Sequence, residues 1–257
     1  MQLAFLDSWI IPAQSDTKDL ENLSFFGTQE AIIAAALDPN ADLFSRWEQL
    51  LTKERERVSR AGITPYIALG LPAEALPKRS WKELLARLEP LVTQHLAHAL
   101  GPLSLGTLPR HQEALTAQLN LAAKLRLPCI IALPARGKLP TIAAVAALAK
   151  QANLPPERLA FLHCTGKALV KVRASGAYGI ITIHPDYLKA KGAASLIKRL
   201  GLEKIMLATG LGMGPCDVLA LQKVALALGK EGFSTNDILL ASRKNARRFL
   251  GLTQPQE

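Results

Sequence analysis

Short apolar runs of strand character alternate with runs of helical period along the chain, and the pairing repeats eight times. Strict alternation of this kind forces each strand to return through a crossover, which makes the strands parallel and the connections right-handed. The pattern predicts strands at 3–6, 31–36, 63–69, 98–105, 128–133, 159–163, 179–184 and 204–208. Helices are predicted over 19–26, 43–60, from Ser80 onward, and over 113–125, 141–149, 167–174, 186–200 and 218–228. Pro128 starts the fifth strand and Pro134 stops it. Ser234 and Asp237 read as a capping box that opens a last helix, with Asp where Glu or Gln is usual. Eight such units within 257 residues favour an α/β fold, a closed (β/α)8 TIM barrel, as one domain over 1–257. No Gly-rich turn follows the first strand, which argues against an open dinucleotide-binding sheet.

With 49% hydrophobic and only 5% aromatic residues, the core must be mainly aliphatic. Cys129, Cys164 and Cys216 are an odd number at wide spacing, which suits buried reduced thiols better than a disulfide framework. The chain enters an apolar run containing Asp7 with no basic segment before it, as a first strand does and a signal peptide does not. Apolar helical stretches such as 141–149 are too short to span a bilayer, so the expectation is a cytoplasmic protein without a membrane partner. The net charge of +10 is uneven, since the first fifty residues hold eight acids and two bases. A basic body could attract nucleic acid, most readily through 189–191 and 243–248. No dense basic run interleaves with aromatics, so solvated Lys/Arg helix faces are the favoured description.

A barrel carries its function at the C-terminal ends of its strands, and these ends carry a resemblance. Asp7-Ser8-Trp9-Ile10-Ile11 resembles the Asp-Ser-His-x-His first strand of the TatD-related metal-dependent hydrolases. Leu103-Ser104-Leu105-Gly106 falls where that family has Gly-Glu-Ile-Gly, and Phe161-Leu162-His163 is similar to its Ile-Asp-His. Gln118 to Ala122, running into Leu127 to Ala132, resembles the family's next helix and strand. The stretch from Ala208 to Asp217 is similar to an Asn-Ser-Asp-x-Gly-x-Gly-Pro-Ser-Asp loop, and Asn245-Ala246 with Phe249 to a terminal Asn-Pro-x-x-Phe. The resemblance runs in order over essentially the whole chain and implies an amidohydrolase-like barrel with divalent metal, which would activate a water.

The departures fall on the ligands the resemblance implies. The first-strand histidines align with Trp9 and Ile11, the glutamate with Ser104, the next histidine with Ala132, the final aspartate with Gly210, and a loop histidine with Pro72. His163 alone persists, and one imidazole cannot replace three or four ligands. The sequence therefore leads to the expectation of no metal site and no cofactor.

His163, His184 and Asp7 are the candidate catalytic residues, set against a plain reading in which each is a hydrogen-bonded structural group. Trp9, Ser104, Arg136 and Thr209 are the candidate ligand-binding residues, with Trp9 either filling the void of the missing metal or stacking on a planar ligand. Arg136 and Lys138 could meet an anion at the mouth, or be ordinary loop charges. The loop 210–214 could cradle an anion with its amides, but lacks the Lys-Ser/Thr of a P-loop. Cys164 is not expected to pair with His163, because neighbours on a strand face opposite ways. His95, His98 and His111 read as surface residues.

Three functional readings remain open. The leading one is a barrel without the metal chemistry, a pseudoenzyme that binds a small molecule or a protein partner. The second is a hydrolase of altered acid/base chemistry through His163, His184 and Asp7. The third is a metal-dependent deoxyribonuclease or hydrolase whose ligands lie elsewhere in the sequence.

Overall fold

A computed structural model describes residues 3–36, 42–77, 80–94 and 96–253. Eight strands follow one another in sequence order around a single sheet: β1 (Phe5–Ile10), β2 (Thr28–Ala34), β3 (Thr64–Leu69), β4 (Ala99–Leu103), β5 (Cys129–Ala132), β6 (Leu159–Leu162), β7 (Tyr178–Thr182) and β8 (Ile205–Ala208). Each consecutive pair is parallel. The Ile11 amide, just past β1, donates to the Leu211 carbonyl beyond β8 at 2.8 Å, so the two end strands meet. The molecule is the expected (β/α)8 TIM barrel.

The outer layer comprises α1 (Thr17–Phe25), α2 (Leu43–Gln49), α3 (Arg55–Arg60), α4 (Trp81–Thr93), α5 (Pro109–Leu125), α6 (Lys138–Gln151), α7 (Gly166–Ala174), α8 (Ala190–Leu200) and α9 (Ala220–Lys230), followed by α10 (Thr235–Leu239) and α11 (Asn245–Leu250). A π turn at Leu50–Glu54 joins α2 to α3, and one at Leu240–Lys244 joins α10 to α11. The charged helix predicted over 43–60 thus exists as one helical run with a π insertion. Ser234 and Asp237 form the expected capping box, each side chain accepting from the other residue's backbone amide. Among the described residues no helix is long and apolar enough to cross a membrane.

Strand alternation divides the apolar side chains into two layers. Ile131 and Phe161 face the helices, whereas Ile130, Leu162, Ile180 and Met206 fill the barrel with Leu6, Ile32 and Ala68. The N-terminal end of the barrel is closed by the last helix, whose Ala246 and Phe249 join this inner layer. Asn245, 2% exposed, donates to the Leu202 and Ile205 carbonyls and so ties α11 to the entry of β8.

Four expectations need correction. The first strand runs on to Ile10, so Asp7 lies within it; its register against β2 shifts between Asp7 and Ile10, and Ser8 and Trp9 are buried in the strand. Arg243 and Arg247 turn inward onto the buried Glu30, so the run 243–248 is not the free basic patch its composition suggested. His98 is half-buried with Nδ1 accepting the Ile67 amide at 3.1 Å, and His111 is half-buried with its Nδ1 inside, so neither is a plain surface residue. Cys129 and Cys164 are buried free thiols as expected, but Cys216 is only partly covered. His95 lies outside the described residues.

Candidate functional site

His163, Thr182, His184 and Tyr187 lie together at the C-terminal ends of β6 and β7. β6 ends at Leu162, which points into the barrel, and strict alternation would send His163 outward. Instead His163 takes a left-handed backbone, φ +63°, which costs an L-residue about 1–2 kcal/mol and is found where surrounding structure holds it. The turn brings its ring over β7, where Nδ1 lies 2.9 Å from the Thr182 hydroxyl, and stacks it flat on Tyr187, centroids 4.2 Å apart and planes 3° from parallel. Lys138, at the start of α6, donates to the His163 carbonyl at 2.6 Å and lies 5.6 Å from the Tyr187 ring. Burial, then the Lys138 ammonium and His184, push the His163 imidazole down to about 3, so it is neutral at physiological pH. Burial likewise lowers Lys138.

His184 is 3% exposed; its Nδ1 accepts the Asp186 amide at 3.3 Å, and its ring lies 6.0 Å from that of Tyr187. Its buried Nε2 has no hydrogen-bond partner among the described residues. The structure therefore brings His163 and His184 together around Tyr187. It does not join Asp7 to them: the Asp7 carboxylate accepts the Trp9 amide at 3.2 Å, the Thr209 amide at 3.1 Å and the Thr209 hydroxyl at 2.5 Å. The hydroxyl partner is Thr209, not the neighbouring Ser8 that local reasoning suggests. Burial pushes the Asp7 carboxyl up to about 6, against the lowering effect of these hydrogen bonds.

The remaining candidates are dispersed. Trp9 is 2% exposed and packed in the inner layer. Ser104 accepts the Ala73 amide at 2.7 Å and donates to Glu74 at 2.5 Å, clasping the loop after β3 to the end of β4. Arg136 is exposed. Cys164 faces the helices, its thiol donating to the Phe161 carbonyl at 3.1 Å and pushed up to about 12 by burial. It is parted from His163 as expected, although the left-handed turn, not strand alternation, does the parting.

No family model matches the chain. It is 26% identical over 242 residues, 91% of this chain and 95% of the other, to an uncharacterized metal-dependent hydrolase of Methanocaldococcus jannaschii. The structure superposes on a TatD-like protein from Archaeoglobus fulgidus with a TM-score of 0.80, at 23% identity, covering 96% of this chain and 100% of that one. A phosphotriesterase homology protein from Escherichia coli, solved with phosphate in its active site, gives a TM-score of 0.76 at 14% identity, over 97% and 99%. The chain thus shares the barrel fold of these proteins and is similar over nearly its whole length to a metal-dependent hydrolase.

At the mouth of this barrel the positions that the resemblance aligns with metal ligands hold no histidine or carboxylate except His163. Trp9, Ile11, Ser104, Ala132 and Gly210 stand at the positions the resemblance aligns with ligands, and among the described residues no three His, Cys, Asp or Glu side chains gather to hold an ion. Thr182, Tyr187 and Glu74 belong to the mouth and its loops but are not among the candidates that the sequence singles out. Thr182 was findable, because it lies two residues before His184 within the predicted strand 179–184, whose alternation would turn both the same way. Tyr187 and Glu74 reach their partners through loop conformations that carry no period.

Proposed function

We propose that this TatD-related barrel has left the metal-dependent chemistry of its relatives and binds a small polar ligand at the His163–Thr182–His184–Tyr187 side of its mouth, without a metal or other cofactor. The observation that carries the reading is the closure of the position aligned with the final aspartate. Gly210 has φ +70°, and a Cβ built there would lie 2.9 Å from Thr182 Cγ2 and 3.3 Å from Met213 Sδ. The position is not merely substituted; it has been packed over, so a carboxylate there has no room without rearrangement. The buried Trp9 supports the same reading. A ligand would meet a neutral imidazole stacked on a phenol ring and a second, unpartnered imidazole nitrogen, a set suited to hydrogen bonding and planar stacking. A pKa near 3 leaves His163 a poor proton carrier at neutral pH, which weighs against the acid/base alternative.

The test is metal content and metal affinity of the purified protein. Elemental analysis is expected to find zinc, manganese and magnesium well below one ion per chain, and calorimetric titration with each to show no tight site. Stoichiometric metal that is lost on His163→Ala would overturn the proposal, as would metal-stimulated cleavage of single-stranded DNA.

A further inference from the structure

Beside the mouth, a groove of about 530 Å³ runs between the start of α8 and the outer face of α9. Its walls are apolar, built from Ile183, Leu188, Ala227 and Leu226, and Leu226 remains 62% exposed. Its rim is cationic, with Lys189, Lys191, Lys223 and Lys230. Among the described residues that line it the one acid, Asp217, is already bound to Lys223 at 2.6 Å. Among the described residues Lys189, Lys191 and Lys230 have no ion-pair partner. The 11-residue helix α8 opens on this rim with no side-chain cap and no acidic residue in its first turn, so no side chain offsets the positive end of its dipole. His184, whose buried Nε2 lacks a partner, also belongs to the lining.

An apolar trough of ligand size with unpaired cations along one edge matches one kind of occupant. We propose that the groove binds an amphipathic anion, an aliphatic chain ending in a carboxylate or phosphate, with the chain along Leu226 and Leu188 and the head at Lys189, Lys191 and the first turn of α8. Burying the chain supplies affinity, and the lysines select the sign of the head group. The groove shares His184 with the mouth, but its apolar wall and lysine rim lie outside the His163–Thr182–Tyr187 cluster.

The experiment uses the full chain and three ligands with the same ten-carbon tail: decanoate, decyl phosphate and decyltrimethylammonium. Saturable binding of one anion per chain is expected by calorimetry, with the two anionic arms reporting whether carboxylate or phosphate is preferred and the cation binding at least roughly tenfold more weakly. Leu226→Glu places a carboxylate at an exposed position of the wall, and Lys189→Glu with Lys191→Glu reverses the rim; each is expected to weaken binding about tenfold or more while leaving the circular dichroism spectrum unchanged. His163→Ala is expected to bind decanoate as the wild type does. Equal binding of the cation, wild-type affinity in the folded groove variants, absence of saturable binding, or loss confined to His163→Ala would each overturn the proposal.

Discussion

The carboxylate of Asp7 on the first strand accepts both the backbone amide and the hydroxyl of Thr209, 202 residues later at the end of the last strand. The pair joins the two strands where the barrel closes, with both side chains fully buried. Removing the hydroxyl in Thr209→Val leaves a buried carboxylate short of a donor, which costs about 1.5–3 kcal/mol. Urea unfolding at pH 8, where the carboxyl is ionised, is the measurement. The pH dependence has a definite sign. Asp7 titrates near 6 in the fold and near 3.8 when unfolded, so between those values the folded state holds more protons. Its contribution is complete below pH 3.8 and declines by about 1.4 kcal/mol per pH unit as pH rises toward 6. Asp7→Asn is expected to abolish that segment of the stability curve, and an unchanged curve would count against the assignment.

His163 runs the other way. Its folded pKa of about 3 lies below the usual 6.5, so the unfolded chain binds more protons in that window. The stability it contributes is present above pH 6.5 and is lost as pH falls toward 3. Between about pH 4 and 6 the two buried groups oppose one another, and only single variants separate them. His163→Gln is expected to remove the acid-side loss, steepening the net decline with pH left by Asp7. In nuclear magnetic resonance spectra the His163 ring is expected to stay neutral from pH 8 to about 4.5.

The glycine-rich loop after β8 has a packing role that substitution can measure. Gly210→Ala meets Thr182 Cγ2 and a left-handed backbone, and is expected to cost about 1–2 kcal/mol. At Gly212, φ +88°, a Cβ would strike the Ile11 carbonyl. That neighbour is backbone and is fixed by the bond from the Ile11 amide to Leu211. Gly212→Ala is therefore expected to lower the melting temperature more than Gly210→Ala does. The reverse order would place the constraint at Thr182 instead of the closure of the barrel.

The parts of the fold that sequence carries well are those with a period. Ile130 and Leu162 facing inward, Ile131 and Phe161 facing outward, and the helix over 43–60 all follow from spacing. The Asp237 capping box follows from a local three-residue rule. The candidate site depended on events without a period. β1 shifts register past Asp7, a left-handed turn swings His163 over Thr182, and Tyr187 stacks from a loop. Long-range pairing was equally hidden: Asp7 suggested a hydroxyl next door, but its partner is at the far end of the chain. Arg243 and Arg247 looked like surface charge because nothing local to them reveals the buried Glu30.

That glutamate gives the last prediction. Glu30 is 4% exposed, accepts Arg243 Nε at 2.8 Å and the Tyr66 hydroxyl at 2.7 Å, and is bound also by Arg247. It lies on β2 while both arginines belong to the terminal helical segment, so the cluster fastens that segment beneath the barrel. A buried charge is tolerable only while its partners remain, and removing one side strands the other. Glu30→Gln is expected to cost about 3–5 kcal/mol by leaving two largely buried guanidinium groups without their counter-ion. The same variant has a second readout that simple loosening would not produce in a chain that stays folded. Tyr66 is pushed up to about 12 by burial and then by its hydrogen bond to Glu30 and that residue's charge. With a neutral amide in place of the carboxylate, the charge that raises the phenol is gone while Arg247 still lowers it. Ultraviolet titration is expected to show one tyrosine ionising at lower pH than in the wild type. A folded Glu30→Gln protein with unchanged tyrosine titration and undiminished stability would mean that the terminal segment is held by Ala246 and Phe249 alone.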